Sequence, residues 1–403
     1  MSKKKKKREE KKDFSSRFHF VVLIITLIIL LVVTFIYFEE LKHFEEPISI
    51  EDGEKIETKD SFISVWKTDK LGESGKDEIK LPLTPTGSYN FTVDWGDGNT
   101  DKITSLSKAR HTYEEPGRYK INITGKIQGW SFDNKGDKNK LLEIKQWGPL
   151  RFGNTGGYFH GAKNLKITAE DMPCLEGTTD LTNMFARTNL QKIPNINKWD
   201  VSNVKKMNSM FSYAIQFNND LNGWDISNVK DMSFMFFRAT SFNKPIDKWD
   251  TSNVESMRAM FNGALFFNQD INNWDVSKVN DMAHMFDKAG SFNKTLNEWD
   301  TSNVENMKGM FFTAESFDQD LDNWDTSNVK SMGSMFVDAI SFNGDITTWN
   351  TDNVEDMNFM FRRATSFNQD ISGWDTSNVE ICSGFAERAN DFKDEFKPEF
   401  ENC

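Results

Sequence analysis

Along residues 199–374 the apolar positions recur in one pattern. Tryptophan stands at 199, 224, 249, 274, 299, 324, 349 and 374, always 25 residues after the last. A fixed period of this length marks a chain built of stacked repeats. Between the tryptophans the sequence reads W-D-x-S-N-V-x-x-M-x-x-M-F-x-x-A-x-x-F-N-x-D-I-x-x. In one such repeat Val229, Met232, Met235, Phe236, Ala239 and Phe242 advance in steps of 3, 3, 1, 3 and 3. That is the spacing of one helix face, and it predicts a helix of about three turns per repeat. Ser252, Ser302 and Ser377, followed three residues later by Glu255, Glu305 and Glu380, read as capping boxes that open these helices. After each helix a Phe-Asn pair such as Phe242 and Asn243 begins a turn. A short extended piece carrying Leu221, Ile246, Ile271 or Leu296 then leads to the next tryptophan.

A lone unit of this kind cannot bury its own rings, whereas stacked units bury them in one continuous core. The Trp, Met and Phe columns therefore read as packing, and the aligned asparagines as side chains that bond the backbones of neighbouring coils. Degenerate units flank the regular ones. Ile144, Trp147, Phe159, Ala162 and Leu165 repeat the spacing of Ile271, Trp274, Phe286, Ala289 and Phe292, so the array starts near Lys140, and the charged tail from Lys393 reads as a polar cap. This gives about ten coils over residues 139–395, with a polar tail at 396–403. At roughly 4.8 Å per coil the array is on the order of 50 Å long.

Ahead of the array the period is 2. Tyr89, Phe91, Val93 and Trp95 alternate with polar residues, Gly96 to Asn99 supplies a turn, and after Glu115-Pro116-Gly117 the residues Tyr119, Ile121 and Ile123 alternate again. Residues 61–127 thus read as a small β-sandwich. Residues 39–60, charged and without apolar periodicity, read as a stalk. Phe20 to Phe38 is 19 residues without a charge, close to the roughly 20 that cross a hydrocarbon core. Nine Lys or Arg precede it within residues 1–17, and Glu39, Glu40, Glu45 and Glu46 follow. This bias predicts a cytoplasmic tail at 1–19, an uncleaved signal anchor at 20–38, and residues 39–403 outside the cell membrane.

Beyond residue 17 the chain holds 40 basic and 58 acidic residues. An acidic body repels phosphate, so nucleic acid is not an expected partner. The three cysteines, Cys174, Cys382 and Cys403, have no metal or redox spacing. Cys382 stands where other repeats carry Met and reads as a buried apolar thiol. Asp94, Asp97 and Asp101 suit a hard cation such as calcium, but an Asp- and Gly-rich turn explains them through backbone conformation alone. The five histidines, His19, His43, His111, His160 and His284, are scattered without a nucleophile at a recognisable spacing. No catalytic, cofactor-binding or metal-ligating residue is assigned, and the expectation is not an enzyme.

The stretch from Val93 to Gly98 (V-D-W-G-D-G) with His111 to Ile121 (H-T-Y-E-E-P-G-R-Y-K-I) resembles the polycystic-kidney-disease (PKD) type domain, which implies an immunoglobulin-like spacer or adhesion module. The repeats closely resemble those of the BspA-type leucine-rich-repeat surface proteins. That resemblance implies an α/β solenoid of 25-residue leucine-rich-repeat-like units, displayed outside the membrane, with adhesion as its usual suggested role. Lys278, Asn350, Pro245 and Thr295 depart from the repeat pattern and argue against an essential ligand role for the Asn and Asp columns. The fold expected for the whole chain is that α/β solenoid, preceded by the small all-β PKD-like sandwich and one transmembrane helix.

Ligand contact must then come from outward positions that differ between repeats. Phe234 and Phe237, with Phe266 of the next coil, are the candidate contact for a protein partner. A strip of Asn222, Asp247, Asn272, Asn273, Asp322 and Asn323 offers a polar surface for a glycan. The expected function is adhesion or binding to an extracellular protein or glycan. The alternative is a structural rod or surface-layer element, rigidified by calcium, without a specific ligand.

Overall fold

The structure, a computed structural model, describes residues 60–400. The tail, anchor and stalk expected ahead of Asp60 lie outside the described residues, as do residues 401–403. Nine strands come first: β1 Ser61–Lys67, β2 Glu78–Lys80, β3 Leu83–Asp94, β4 Thr100–Ile103, β5 Arg110–Thr112, β6 Arg118–Trp130, β7 Leu141–Gln146, β8 Leu150–Arg151 and β9 Lys166–Ile167. The alternating stretches around Phe91 and Ile121 lie in β3 and β6, which pair antiparallel with Val93 opposite Ile123. Seven strands form one sheet in the order β4-β3-β6-β1-β7-β9, with β8 on β6, while β2 and β5 form a separate ribbon. The expected immunoglobulin-like sandwich is corrected accordingly. β1 pairs with β6 along one edge and β7 along the other, and its residues from Ser61 to Trp66 are buried; through β7 and β9 the sheet runs on into the first coils. Gly148 lets the chain turn away beneath β1, since a Cβ there would lie 2.1 Å from the Ser61 carbonyl oxygen.

From residue 180 onward each coil contributes one parallel bridge residue, in the ladder Asp180, Lys206, Asp231, Ser256, Asp281, Asn306, Ser331, Asp356 and Ile381. The described residues contain no α-helix, only three short 3₁₀ turns, so the expected α/β solenoid is overturned. Backbone hydrogen bonding shows why. In one coil Met232, Phe234, Phe236 and Arg238 donate to the carbonyls of Ser256, Arg258, Met260 and Asn262 of the next coil, at 3.1, 2.8, 2.9 and 2.7 Å. The intervening amides of Met235, Phe237 and Ala239 close turns on the carbonyls three residues back. An α-helix would send every one of these donors to its own coil four residues back. Phe234 and Arg238 also have φ of +59° and +55°, and the same two positions are left-handed in each regular coil, which no right-handed helix tolerates. Consecutive three-residue turns align side chains at i and i+3 much as a helix does. The apolar steps alone therefore do not separate the two.

The supposed capping boxes are likewise something else. The Asp after each tryptophan accepts the amide two residues on, as Asp250 Oδ1 does from Ser252 N at 3.1 Å, which is an Asx turn. Asn350 keeps that bond with Asp352 N at 2.9 Å. The glutamates reach between coils instead, Glu255 to Lys230 at 2.6 Å and Glu305 to Lys330 at 2.9 Å.

Rings stack along the array as the ladder requires. Phe236 lies 5.7 Å from Phe261 and 3.9 Å from Phe242 within its own coil, and Trp249 lies 6.1 Å from Trp274. Fully burying one such ring contributes about 1.5–3 kcal/mol. The asparagine columns bond neighbouring coils, as expected. Asn253 Nδ2 donates to Ser227 O at 2.8 Å, and Asn243 Oδ1 accepts from Asn268 N at 3.0 Å. Lys278 substitutes by donating to Asn253 Oδ1 at 2.7 Å. Cys382 is buried but disulfide-bonded, not a free thiol.

Among the described residues no helix is long and apolar enough to cross a membrane. The expected transmembrane helix, signal anchor and single-pass cell-membrane placement therefore find no support in the structure. The 20–38 segment itself lies outside the described residues.

Two outcomes follow from this architecture. Trp299 Nε1 donates to the Ile271 carbonyl at 3.0 Å, whereas Trp374 Nε1 has no partner among the described residues. Trp299→Phe should therefore cost about 0.5–1.5 kcal/mol more than Trp374→Phe in urea denaturation, because it removes one of two hydrogen bonds to a buried carbonyl that keeps the one from Trp274 N at 3.1 Å; equal losses would show that the indole bond contributes nothing. Thr313, β-branched at φ +56°, should gain about 1 kcal/mol on replacement by Asn, which tolerates left-handed backbone, measured in the same titration.

Candidate functional site

Side chains at and beside the two left-handed positions of each coil are among those turned outward. In the coils around residues 187, 213 and 238 they gather. The Arg187 guanidinium lies 4.5 Å from the Tyr213 ring centroid and that of Arg238 lies 5.4 Å from it, so Tyr213 touches both. Arg238 also lies 5.7 Å from the Phe237 ring. Phe237 is 5.3 Å from Tyr213 and 5.7 Å from Phe234. Both arginines are exposed and the three rings half-buried. Gly263 occupies the same place in the next coil. A Cβ there would approach Arg238 Cγ to 3.0 Å, so its absence leaves room for the arginine stem.

Of the three phenylalanines expected to form one patch, the structure brings together Phe234 and Phe237. Phe266 is 60% exposed beside Leu265 and makes no ring contact with either among the described residues. Its amide donates to the Thr240 carbonyl at 3.3 Å, past the turn that closes the coil. Sequence reasoning missed Tyr213, Arg187 and Arg238. Their spacing of 26 and 25 residues was a legible signal, but the column of the repeat they occupy varies freely.

Charge sets this cluster apart. Every other arginine among the described residues has a nitrogen within 4.0 Å of a carboxylate, whereas Arg187 and Arg238 have none. Further along the same face Arg363 pairs with Asp338 and Arg362 with Glu387. Lys288, over the Phe312 ring, lies 3.4 Å from Asp287.

Other candidates are satisfied internally. Asp94 Oδ1 accepts Gly96 N at 3.0 Å, Asp97 accepts Asn99 N and His111 Nε2, and Asp101 accepts Trp95 Nε1 at 2.8 Å. Burial pushes the Asp97 carboxyl up, but the bonds from His111 and Asn99 outweigh it and hold it below its ordinary range. His284 Nδ1 lies 3.1 Å from Asp287 Oδ2. Among the described residues neither His111 nor His284 is hydrogen-bonded to a hydroxyl or thiol, and no three His, Cys, Asp or Glu side chains gather as a metal site. The polar strip is engaged between coils. Asn222 Nδ2 donates to Asp247 Oδ1 at 2.9 Å and Asn273 Nδ2 to Asp247 O at 2.8 Å. A groove of about 780 Å³ runs beside β6 and β8 past the free Cys174, but its Arg151 pairs with its Glu176 at 2.7 Å.

The model of the family described as Mycoplasma protein of unknown function, DUF285, matches residues 179–299 and again 281–398, together more than half of the chain. No curated protein and no solved structure matches.

Within that matched region the Asx turns titrate. Hydrogen bonds from Ser202, Ser277 and Ser327 hold the carboxyls of Asp200, Asp275 and Asp325 below their ordinary values. A carboxyl depressed on folding adds stability above its unfolded pKa, about 3.9, and that stability is lost as pH falls through the folded value. The triple variant Asp200→Asn, Asp275→Asn, Asp325→Asn keeps the turns, as Asn350 does. It should melt close to the parent at pH 7 and lose less than the parent between about pH 5 and pH 2; parallel acid curves would show that these turns do not contribute.

Proposed function

The chain belongs to the family described as Mycoplasma protein of unknown function, DUF285, and from that footing we propose that its stacked repeats are a rigid adhesion-type array that binds a protein partner. The observation that carries this reading is the convergence of Phe234, Phe237 and Tyr213 with two arginines at outward positions, while the repeating columns are consumed by packing and coil-to-coil bonds. Tyrosine and arginine anchors with aromatic neighbours are what protein interfaces concentrate at their energetic centres. A stack whose coils fix one another holds the backbone of such a cluster in place, which reduces the conformational entropy lost on binding. The finer resemblance of the repeats to BspA-type proteins, for which adhesion is the usual suggested role, points the same way. The hydrogen bonding of the Asn and Asp strip between coils favours a protein over a glycan ligand. Neither imidazole–carboxylate pair faces a nucleophile among the described residues, which supports binding over catalysis.

The reading is tested by adhesion of the full chain to surfaces coated with matrix and cell-derived proteins, set beside glycan-coated surfaces. Binding to a protein surface should fall at least tenfold in the double variant Phe234→Ser, Phe237→Ser, about 1.4 kcal/mol or more, with thermal unfolding retained. Undiminished binding by the variant, or binding to glycan surfaces alone, would remove the proposal.

A further inference from the structure

Resting on that protein-binding reading, we propose that the Arg187–Tyr213–Arg238 sandwich recognises an extended acidic segment of the partner, two carboxylates gripped by the two guanidiniums and an apolar residue laid against Phe234 and Phe237. Three features of the site carry this.

First, Arg187 and Arg238 are the arginines among the described residues without a carboxylate within 4.0 Å, on a chain whose net charge is −12. A body with such an excess of acid leaves no shortage of internal partners, and seating both unpaired guanidiniums on one ring keeps their N–H donors turned to solvent. Stacking on an aromatic face fixes a guanidinium's plane, so little freedom is lost when its fork closes on a carboxylate. Second, the spacing suits a peptide. Both guanidinium carbons lie against one ring, at 4.5 and 5.4 Å from its centroid, and are therefore no more than about 10 Å apart, which two or three residues of extended chain span at about 3.3 Å each. Side chains two apart on a strand share a face, and the residue between them points the other way. Carboxylates two apart on an extended segment therefore face both guanidiniums, and an apolar side chain two residues further on shares that face, where Phe234 and Phe237 stand.

Third, the chemistry selects against other anions. The two guanidiniums pack against the Tyr213 ring, the phenylalanine nearest it touches it at 5.3 Å, and this leaves little open ring face for a sugar or base to stack on. Long polyanions bring many charges up to an acidic surface and are repelled by it, whereas a short segment presents only the charges the two arginines neutralise. Recognition of acidic motifs by paired arginines is a recurring way of reading an extended peptide.

Fluorescence anisotropy with the full chain tests this directly. The probe is a labelled peptide with two glutamates two residues apart and a phenylalanine two residues beyond the second. Its glutamine counterpart and a sulfated oligosaccharide of matching charge serve as comparisons. We expect the acidic peptide to bind at least tenfold more tightly than either, and to lose at least tenfold in Arg187→Gln, Arg238→Gln. Arg187→Lys, Arg238→Lys, which keeps the charge and the fold but not the fork, should fall between the two. No binding of the acidic peptide, equal binding of the glutamine peptide, tighter binding of the oligosaccharide, or indifference to both arginine pairs overturns the proposal. If adhesion to protein surfaces still depends on Phe234 and Phe237 while the acidic peptide fails, the acidic chemistry is wrong and the protein-binding reading stands. If that dependence is absent as well, both fall.

Discussion

The hydrogen bonds that pass from one coil to the next are the constraint on which the rest depends. Alternate amides along the Met-Phe stretch, such as those of Phe234 and Phe236, find their acceptors in the following coil, and those between them close local turns. Buried amides must be satisfied one way or the other, and this division accounts for them in a segment that is neither helix nor ordinary strand. It also explains the period. A donor that must meet a carbonyl 24 residues on leaves no room for insertions, so the tryptophans recur every 25 residues without drift. Once the coils are locked in register, equivalent side chains fall directly over one another. Phe stacks on Phe, Trp on Trp, and each Asn finds the backbone of its neighbour.

The same ladder determines what the surface can offer. Two positions in each coil are driven into left-handed backbone so that local turns can alternate with coil-to-coil bonds. Glycine and asparagine bear that conformation without strain, yet Phe234, Arg238, His284 and Lys288 occupy it. Their side chains project outward in rows along the array, and glycine follows where a bulky group needs space, as Gly263 does after Arg238 and Gly309 after His284. The exposed character of each coil is thus written at a few positions on a backbone that the inner columns hold fixed. Around Arg187, Tyr213 and Arg238 those positions assemble the one arginine-rich cluster whose charges the described residues leave unanswered.

Much of this was legible in the sequence, and the errors have specific causes. The repeat, the buried columns and the asparagine bonds were readable because identity at a fixed spacing implies superposition in space. The strands around Phe91 and Ile121 were readable from alternation. The helix was not excluded by pattern, because steps of three and four describe successive tight turns as well as a helix face, and backbone φ leaves no trace in hydrophobicity. Serine followed by glutamate imitated a capping box. The preceding Asp in fact holds the turn, and the glutamate answers lysine on another coil. At the candidate site Phe234 and Phe237 were recognisable as outward aromatics, whereas Phe266 lies past a turn that sequence spacing did not place. Arg187 and Arg238 escaped because their significance lies in what they lack, a carboxylate neighbour, and only the folded arrangement reveals that.

Hydrogen bonds between coils, not helices within them, build the repeats. Through-hydrogen-bond scalar couplings in the deuterated protein measure those bonds one by one. A coupling is expected between the amide nitrogen of Phe236 and the carbonyl carbon of Met260, whose N···O separation is 2.9 Å. A coupling from that amide to the carbonyl carbon of Met232, four residues back in its own coil, would contradict it.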